Sequence, residues 1–283
     1  MTARIDARLS DLIPSSDGTI FKAARYSLLS SGKRLRPQLV LAAAASYGAD
    51  REAALDPACA IEMIHTYSLI HDDLPCMDDD DLRRGKPTLH KVYGEGAALL
   101  AGDYLLTFAF EVITNSPHLS PNQKLEIIQV ISHCSGIFGM IGGQIIDIES
   151  EKKIIDERTL LKMHEGKTAA LMIACLQVGY IASTKTTDPS ESFLLKSIGT
   201  ELGLAYQLQD DLFNTTSTTA VLGKQAGSDA AREKSTAISV WGCEKTEQKL
   251  KELEQSIFTK IQKLSLVGSE LTTLIQNIFQ RNY

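Results

Sequence analysis

Three observations predict an all-α fold. Windows rich in Ala, Leu, Ile and Glu dominate the chain, apolar positions recur at helical spacing with no regular alternating strands, and only eight prolines occur in 283 residues. With 43% apolar residues the chain is long enough to bury a large core. The net charge of −6, with no basic tract long enough to track a phosphate backbone, disfavours nucleic acid as a partner. Cys59, Cys76, Cys134, Cys175 and Cys243 are odd in number and widely spaced, which suits reduced thiols rather than a disulfide framework. The N-terminus lacks the apolar stretch of a signal peptide, and no uninterrupted apolar run is long enough to span a bilayer, so a cytoplasmic protein is expected.

Taken in order, Thr2 to Ile13 reads as a short helix closed by Pro14 to Gly18, and a second runs from Thr19 to Ser30. The turn Ser31-Gly32-Lys33-Arg34-Leu35-Arg36-Pro37 then sets cations just before the apolar run Gln38 to Tyr47, where unpaired helix amides favour an anion. A long helix starting at Asp56-Pro57 carries His65 and ends near Leu74, because Pro75 discourages helix before it. His65 lies seven residues before Asp72, hence on roughly the same face.

The stretch HDDLPCMDDDDLRRGKPTLH, His71 to His90, is the chemical centre of the sequence. Asp72, Asp73, Asp78, Asp79, Asp80 and Asp81 are followed directly by Arg83 and Arg84. Asp72 and Asp73 stand in a last helical turn, where the backbone's partial negative charge disfavours an acid by roughly 0.3–1 kcal/mol. Convergence of Asp72 with Asp78 therefore needs a cation, and Mg²⁺, which prefers oxygen ligands and keeps some waters, fits best.

Glu95 to Ile113 reads as a long buried helix and Asn122 to Cys134 as an amphipathic one. The glycine-rich IFGMIGGQIIDIES has no strand before it and no GxGxxG, which disfavours a dinucleotide fold; Gly142 and Gly143 suit close helix packing, with Gln144 and Asp147 on one side. Lys167 and Thr168 interrupt the apolar face of a helix spanning Glu157 to Tyr180, as expected of a charged head reaching into a cavity. Ser190 to Phe213 repeats the earlier design, an apolar helix ending in the acid pair Asp210 and Asp211. The loop Gly223 to Thr236, with Lys224, Arg232 and Lys234, reads as a mobile basic lid, and two amphipathic helices separated near Val267-Gly268 complete the chain.

Two acid pairs with several basic groups suit Mg²⁺ and a diphosphate, whose charge the metals and cations neutralise so that it can leave. No nucleophile has an oriented base, and a cavity lined by apolar helices suits a hydrocarbon substrate.

These motifs together resemble the short-chain trans-isoprenyl diphosphate synthases, the farnesyl and geranylgeranyl diphosphate synthase family of bacterial type, over nearly the whole chain. DDLPCMD resembles the first aspartate-rich motif, and GKRLRP, EMIHTYSLIHDD, RRGKPT, GGQ with Asp147, the Lys167-Thr168 pair and QDD followed by GK appear in family order. The resemblance implies one polyprenyl synthetase domain over 1–283, folded as a large antiparallel helix bundle around a deep central cavity and usually a homodimer. It implies Mg²⁺-dependent head-to-tail condensation: an allylic diphosphate ionises, the double bond of isopentenyl diphosphate attacks the carbocation, and a proton is lost, with the departing diphosphate able to take it. By position, Asp72, Asp78 and Asp210 hold Mg²⁺ with Asp73 and Asp211 supporting, and these five with Lys167 and Lys224 form the catalytic set. Arg83, Lys167, Thr168, Gln207, Lys224 and Lys234 hold the allylic diphosphate, and Lys33, Arg36, His65 and Arg84 hold isopentenyl diphosphate.

The second motif departs from the family's DDxxD, because Asn214 replaces its third acid; reduced metal affinity is expected. Glu233 stands where glycine is usual before Lys234. Tyr67 and Ser68 lie about one turn, ~5.4 Å, below Asp72, so Tyr67 acts as a floor favouring the fifteen-carbon product, with the twenty-carbon product the alternative that the plant-like PCMD and KPTLHKVYGE suggest. Three other readings fit less well. A catalytically silent regulatory subunit leaves the intact first motif unused, a terpene cyclase needs no Lys33, Arg36 and His65, and a plain Mg²⁺/Ca²⁺ module leaves the ordered cations unexplained.

Overall fold

In chain order the helices are α1 (Thr2–Leu12), α2 (Thr19–Leu28), α3 (Leu35–Ser46), α4 (Arg51–Asp72), α5 (Leu89–Tyr93), α6 (Glu95–Asn115), α7 (Pro121–Ser135), α8 (Met140–Ser150), α9 (Glu157–His164), α10 (Ala170–Ser183), α11 (Pro189–Thr216), α12 (Ala237–Trp241), α13 (Cys243–Lys263) and α14 (Glu270–Phe279). A computed structural model describes residues 1–184, 186–216 and 235–281. The expected all-α class is observed, and the only sheet among the described residues is a two-stranded hairpin, β1 (Leu82–Arg83) against β2 (Lys86–Pro87).

Helices apolar around most of their circumference must be buried on all sides. The centre is accordingly α3, α4 and α10: Leu39–Ala44, Ala54–Ile64 and Leu171–Ile181 are almost wholly buried, and the three pack on one another. Around them, α6 lies along α4, α7 and α11 lie along α10, and α13 covers α11 with a narrow apolar stripe that buries Ile257 and Ile261. Both α6 and the helical run Pro121 to Ser150 have the length and hydropathy to cross a bilayer, but α6 is packed along α4.

One helix boundary differs from the sequence reading. The long helix α4 begins at Arg51, capped by the Asp50 side chain accepting from the Glu52 amide at 3.1 Å, and Pro57 lies inside it. An interior proline removes one helical hydrogen bond. Near-complete burial of Ala54 to Ile64 and the contact of Asp56 with Arg8 Nε at 2.8 Å hold the helix through that gap.

The run expected from Glu157 to Tyr180 is continuous but contains a π turn, Glu165–Ala169, between α9 and α10. Such a turn inserts an extra residue and re-aims the side chains after it. The crossing of α8 with this turn explains Gly143: a Cβ there would lie 2.0 Å from the Lys167 backbone nitrogen, and a Cβ on Gly166 would lie 2.7 Å from the Gly143 Cα. The five thiols are free; Cys59, Cys134 and Cys175 are buried and Cys76 and Cys243 exposed. Gly143→Ala is expected to destabilise the protein by about 1–3 kcal/mol in urea unfolding, because backbone cannot yield as a side chain does. Gly48→Ala, whose left-handed backbone conformation is unfavourable but meets no atom within 4 Å, should cost less.

Candidate active site

Because α4 stops before Pro75, the chain curls back on itself after Asp73. The Asp78 amide donates to the Asp72 carbonyl at 2.8 Å and the Asp79 amide to the Leu74 carbonyl at 3.1 Å. This turn brings the two acids of the first motif close enough to repel. The Asp72 carboxyl is pushed up to about 6, first by burial and then by Asp78, with Lys167 opposing. Its Oδ1 accepts from Gln144 Nε2 at 2.9 Å. Asp73 is directed elsewhere: Arg83 Nε donates to its Oδ1 at 2.9 Å, and the same guanidinium reaches Asp80 Oδ2 at 3.1 Å. The hairpin sets this up, since Arg84 and Gly85 at its tip both have positive φ, 54° and 74°, as a two-residue type I′ turn requires.

A cluster of guanidiniums gathers around His65, two turns before Asp72 on α4. Arg36 Nη1 is 3.3 Å from His65 Nε2, and burial with the surrounding arginines pushes His65 well below the usual histidine range, so its neutral ring accepts from Arg36. Arg36 Nε is buried without a hydrogen-bond partner among the described residues. Arg84 passes over Gly32, where a Cβ would come within 2.8 Å of its Nη1. Burial, Arg34, Arg83 and Arg36 push the Arg84 guanidinium down, and Glu62 opposes them. Such crowding of like charge, with a buried donor left over, is a cradle for an anion.

The third wall comes from α8, the π turn and α11. Lys167 Nζ donates to Asp147 Oδ2 at 2.5 Å, and Thr168 Oγ1 meets Gln207 Oε1 at 3.2 Å. Gln207 Nε2 in turn donates to Asp211 Oδ1 at 2.9 Å, and Asp211 Oδ2 receives the Ala237 amide at 2.7 Å. Asp210 is met by Arg281, whose Nη2 is 2.7 Å from its Oδ1 and whose guanidinium lies over the Tyr206 ring at 3.9 Å.

Between these walls is a cavity of about 480 Å³. Arg36, His65, Tyr67, Ser68, Asp72, Gln144, Lys167 and Thr168 all line it, with Leu106, Met140, Ile141, Ile145 and Leu171 making it largely apolar. Asp73, Arg83 and Arg84 line a smaller recess of about 40 Å³, which shares Leu69 with the large cavity. Asp78, Gln207, Asp210 and Asp211 are not among its lining residues; Asp78 is linked to it through the Asp72 carbonyl, and Gln207 and Asp211 through Thr168. Lys33 is exposed on the turn before α3. Lys224, Glu233 and Lys234 lie outside the described residues. No set of three or more acid, histidine or cysteine side chains closes into a metal cage among the described residues. That donor set still fits Mg²⁺, which commonly takes one or two carboxylates and completes its shell with water and substrate phosphate.

Sequence reasoning missed Arg34, Gln144 as the partner of Asp72, and Arg281. Gln144 had a usable signal in its i, i+3 placement with Asp147. The pairing of Arg281 with Asp210 joins residues 71 apart and had none.

Such a fold and site define an α-helical enzyme of the isoprenoid synthase kind. The chain belongs to the polyprenyl synthetase family, whose sequence model matches residues 18–271. It is 43% identical over 252 residues to the farnesyl diphosphate synthase of Haemophilus influenzae, covering 89% of this chain and 85% of that one. It is also 43% identical over 246 residues to the chloroplastic geranylgeranyl pyrophosphate synthase of Capsicum annuum, covering 86% of this chain and 66% of that one. Among solved structures, the geranyltransferase of Helicobacter pylori complexed with magnesium and isoprenyl diphosphate superposes with a TM-score of 0.90 at 33% identity, covering 99% of this chain and 95% of that one.

The two acids of the first motif should respond oppositely to amidation. Asp72→Asn removes a charge whose burial is unfavourable, so the metal-free protein should melt no lower than the wild type, whereas Asp73→Asn leaves Arg83 with Asp80 as its one charged partner of the two and should cost about 1–3 kcal/mol. Thermal melts in excess chelator measure both.

Proposed function

We propose that this protein is a trans-prenyltransferase that condenses isopentenyl diphosphate head-to-tail with dimethylallyl and then geranyl diphosphate, releasing farnesyl diphosphate. The observation that carries the reading is an apolar cavity whose lining holds Asp72, Gln144, Lys167 and Thr168 together with the Arg36–His65 pair. Two diphosphates need two separate gatherings of charge, and one hydrocarbon chain needs a dry pocket between them.

On this reading Asp72 and Asp78, with Asp210 from the second motif and Asp73 and Asp211 behind them, hold Mg²⁺ around the allylic diphosphate. When bound there, Mg²⁺ supplies charge neutralisation to that diphosphate as it leaves. Lys167, Thr168, Gln207 and Arg83 fix the same group, with Lys224 and Lys234 as the proposed contribution of the loop. Arg36, Arg84, Lys33 and neutral His65 hold the diphosphate of isopentenyl diphosphate, so that its double bond stands over the allylic carbon. The helical walls exclude water from the carbocation, and the departing diphosphate accepts the proton lost after the new C–C bond forms.

Tyr67 sets the product length. Its side chain is buried, its hydroxyl has no hydrogen-bond partner among the described residues, and it lines the cavity with Ser68, one turn below Asp72. A phenol there blocks a chain longer than fifteen carbons. The likeness to the Capsicum annuum enzyme supports a second reading, a twenty-carbon product.

The chain is proposed to act as one domain over 1–283, in the cytoplasm, as a homodimer. Exposed Leu99 and Leu100 on α6, and Phe138 just before α8, support apolar surface for a second copy.

The test is mass spectrometry of products from purified protein, Mg²⁺, isopentenyl diphosphate and each allylic starter in turn. Growth from dimethylallyl or geranyl diphosphate should stop at fifteen carbons, and Tyr67→Ala should carry it to twenty. Addition to farnesyl diphosphate by the wild type would instead establish the longer product, and no elongation from any starter would remove the enzyme reading. Asn214→Asp should lower the Mg²⁺ concentration giving half-maximal rate several-fold; an unchanged requirement would show that the missing acid takes no part in metal binding.

A further inference from the structure

The guanidinium between the two cations of the Lys33–Arg36 turn does not face the cavity. Arg34 is 4% exposed and has a left-handed backbone at φ 48°, an unfavourable conformation for a residue with a side chain. Four oxygens hold it there. Its Nε donates to Asp6 Oδ1 at 2.7 Å, its Nη1 to Glu62 Oε1 at 2.9 Å, and its Nη2 to the carbonyls of Leu28 at 2.8 Å and Ser30 at 2.9 Å. One arginine therefore ties α1, α4 and the end of α2 to the start of α3, and the backbone directions of Lys33 and Arg36 follow from where it sits.

Asp6 comes from α1, which lies before the residues matched by the family's sequence model. The helix is fastened to α4 by two further pairs, Arg8 with Asp56 and Arg4 with Glu52. Its last turn is held by Arg25 Nη1, which donates to the Ile13 carbonyl at 2.8 Å. Electrostatics give Asp6 a second consequence. Glu62, 2% exposed, attracts both Arg34 and Arg84, and Arg34 repels Arg84. With Asp6 sharing the charge of Arg34, Glu62 is left to steady Arg84. Without Asp6, Glu62 is the one carboxylate left on Arg34, beside the two carbonyls, and the cradle of Arg36 and Arg84 loses both its alignment and its balance.

We propose that Asp6 is a positioning residue for the isopentenyl diphosphate subsite, acting through Arg34, so that α1 is a working part of that subsite rather than an outer covering. The inference rests on the reading of the site given above. Steady-state kinetics against each substrate separately test it. Asp6→Ala should raise KM for isopentenyl diphosphate about three- to tenfold, with kcat and KM for geranyl diphosphate within about twofold of wild type. Asp6→Glu should recover part of the loss, and Arg4→Gln, which cuts an exposed pair on the same helix, should leave all three constants unchanged.

Calorimetry with inorganic diphosphate in the absence of Mg²⁺ provides a readout independent of turnover, and binding should weaken in Asp6→Ala. A wild type that elongates beside an Asp6→Ala variant with unaltered KM for isopentenyl diphosphate would overturn the inference alone. Equal rises in both KM values accompanied by a lowered melting temperature would also overturn it, by reducing Asp6 to a general structural role. A wild type with no elongation would overturn the reading of the reaction, and the calorimetric comparison would then decide the role of Asp6.

Discussion

Burying the Asp72 carboxylate at the end of α4 is the constraint on which the rest of the site depends. The helix presents its unpaired carbonyls there, Asp78 is folded back beside it, and the surrounding apolar side chains remove solvent, so three effects oppose the charge at once. Among the described residues, Gln144 answers it with a hydrogen bond and Lys167 and Arg83 with their charges. The guanidiniums of Arg36 and Arg84 are in the converse position, crowded and partly desolvated with few carboxylates among them. Neither patch is at rest without an ion of opposite sign, and electrostatic preorganisation of this kind makes a site effective when its ligand arrives.

Holding two such patches in place requires a stiff frame between them. The stiffness comes from close backbone crossings rather than from bulky side chains. Gly143 lets α8 touch the π turn, so Gln144 can reach Asp72 while Asp147 reaches Lys167, one helical turn apart on the same face. The π turn holds α8 through Lys167 and Asp147 and α11 through Thr168 and Gln207, and the line runs on through Asp211 to the Ala237 amide. The bonds of Lys167 to Asp147 and of Thr168 to Gln207 cross between elements, which cannot slide past one another without breaking them.

Much of this was legible in the sequence because it is periodic or contiguous. The helix carrying His65 and Asp72, the stop at Pro75 and the pairing of Gln144 with Asp147 on one face all follow from spacings of three, four and seven residues. The helix start at Arg51 was misplaced because Asp56-Pro57 offers a local helix-start signal stronger than Asp50, and only burial of the whole of α4 overrides it. The hairpin at Leu82 to Pro87 went unread because two-residue strands carry no alternation. Arg34 was passed over in favour of its neighbours for a different reason. Sequence shows three cations in one turn but not which of them meets carboxylates from α1 and α4, and that sorting depends on contacts spanning 28 residues in either direction.

The two acid pairs, alike in sequence, are not alike in charge. Asp210 is met by Arg281 and Asp211 by the Ala237 amide and Gln207, and Asn214 brings no charge where the family has a third acid. The second motif is thus largely answered by groups of the chain itself. Asp72 has an amide for its hydrogen-bond partner and keeps a raised pKa. On the proposed reading the first motif is the stronger attractor for a cation entering with the allylic diphosphate. On the same reading a cation held by Asp210 would take the place that Arg281 has there, an exchange of one cation for another that would cost less than leaving a bare carboxylate against an apolar wall. The asymmetry lies in the partners each pair has, a guanidinium for Asp210 and amides for Asp211 against a single amide for Asp72.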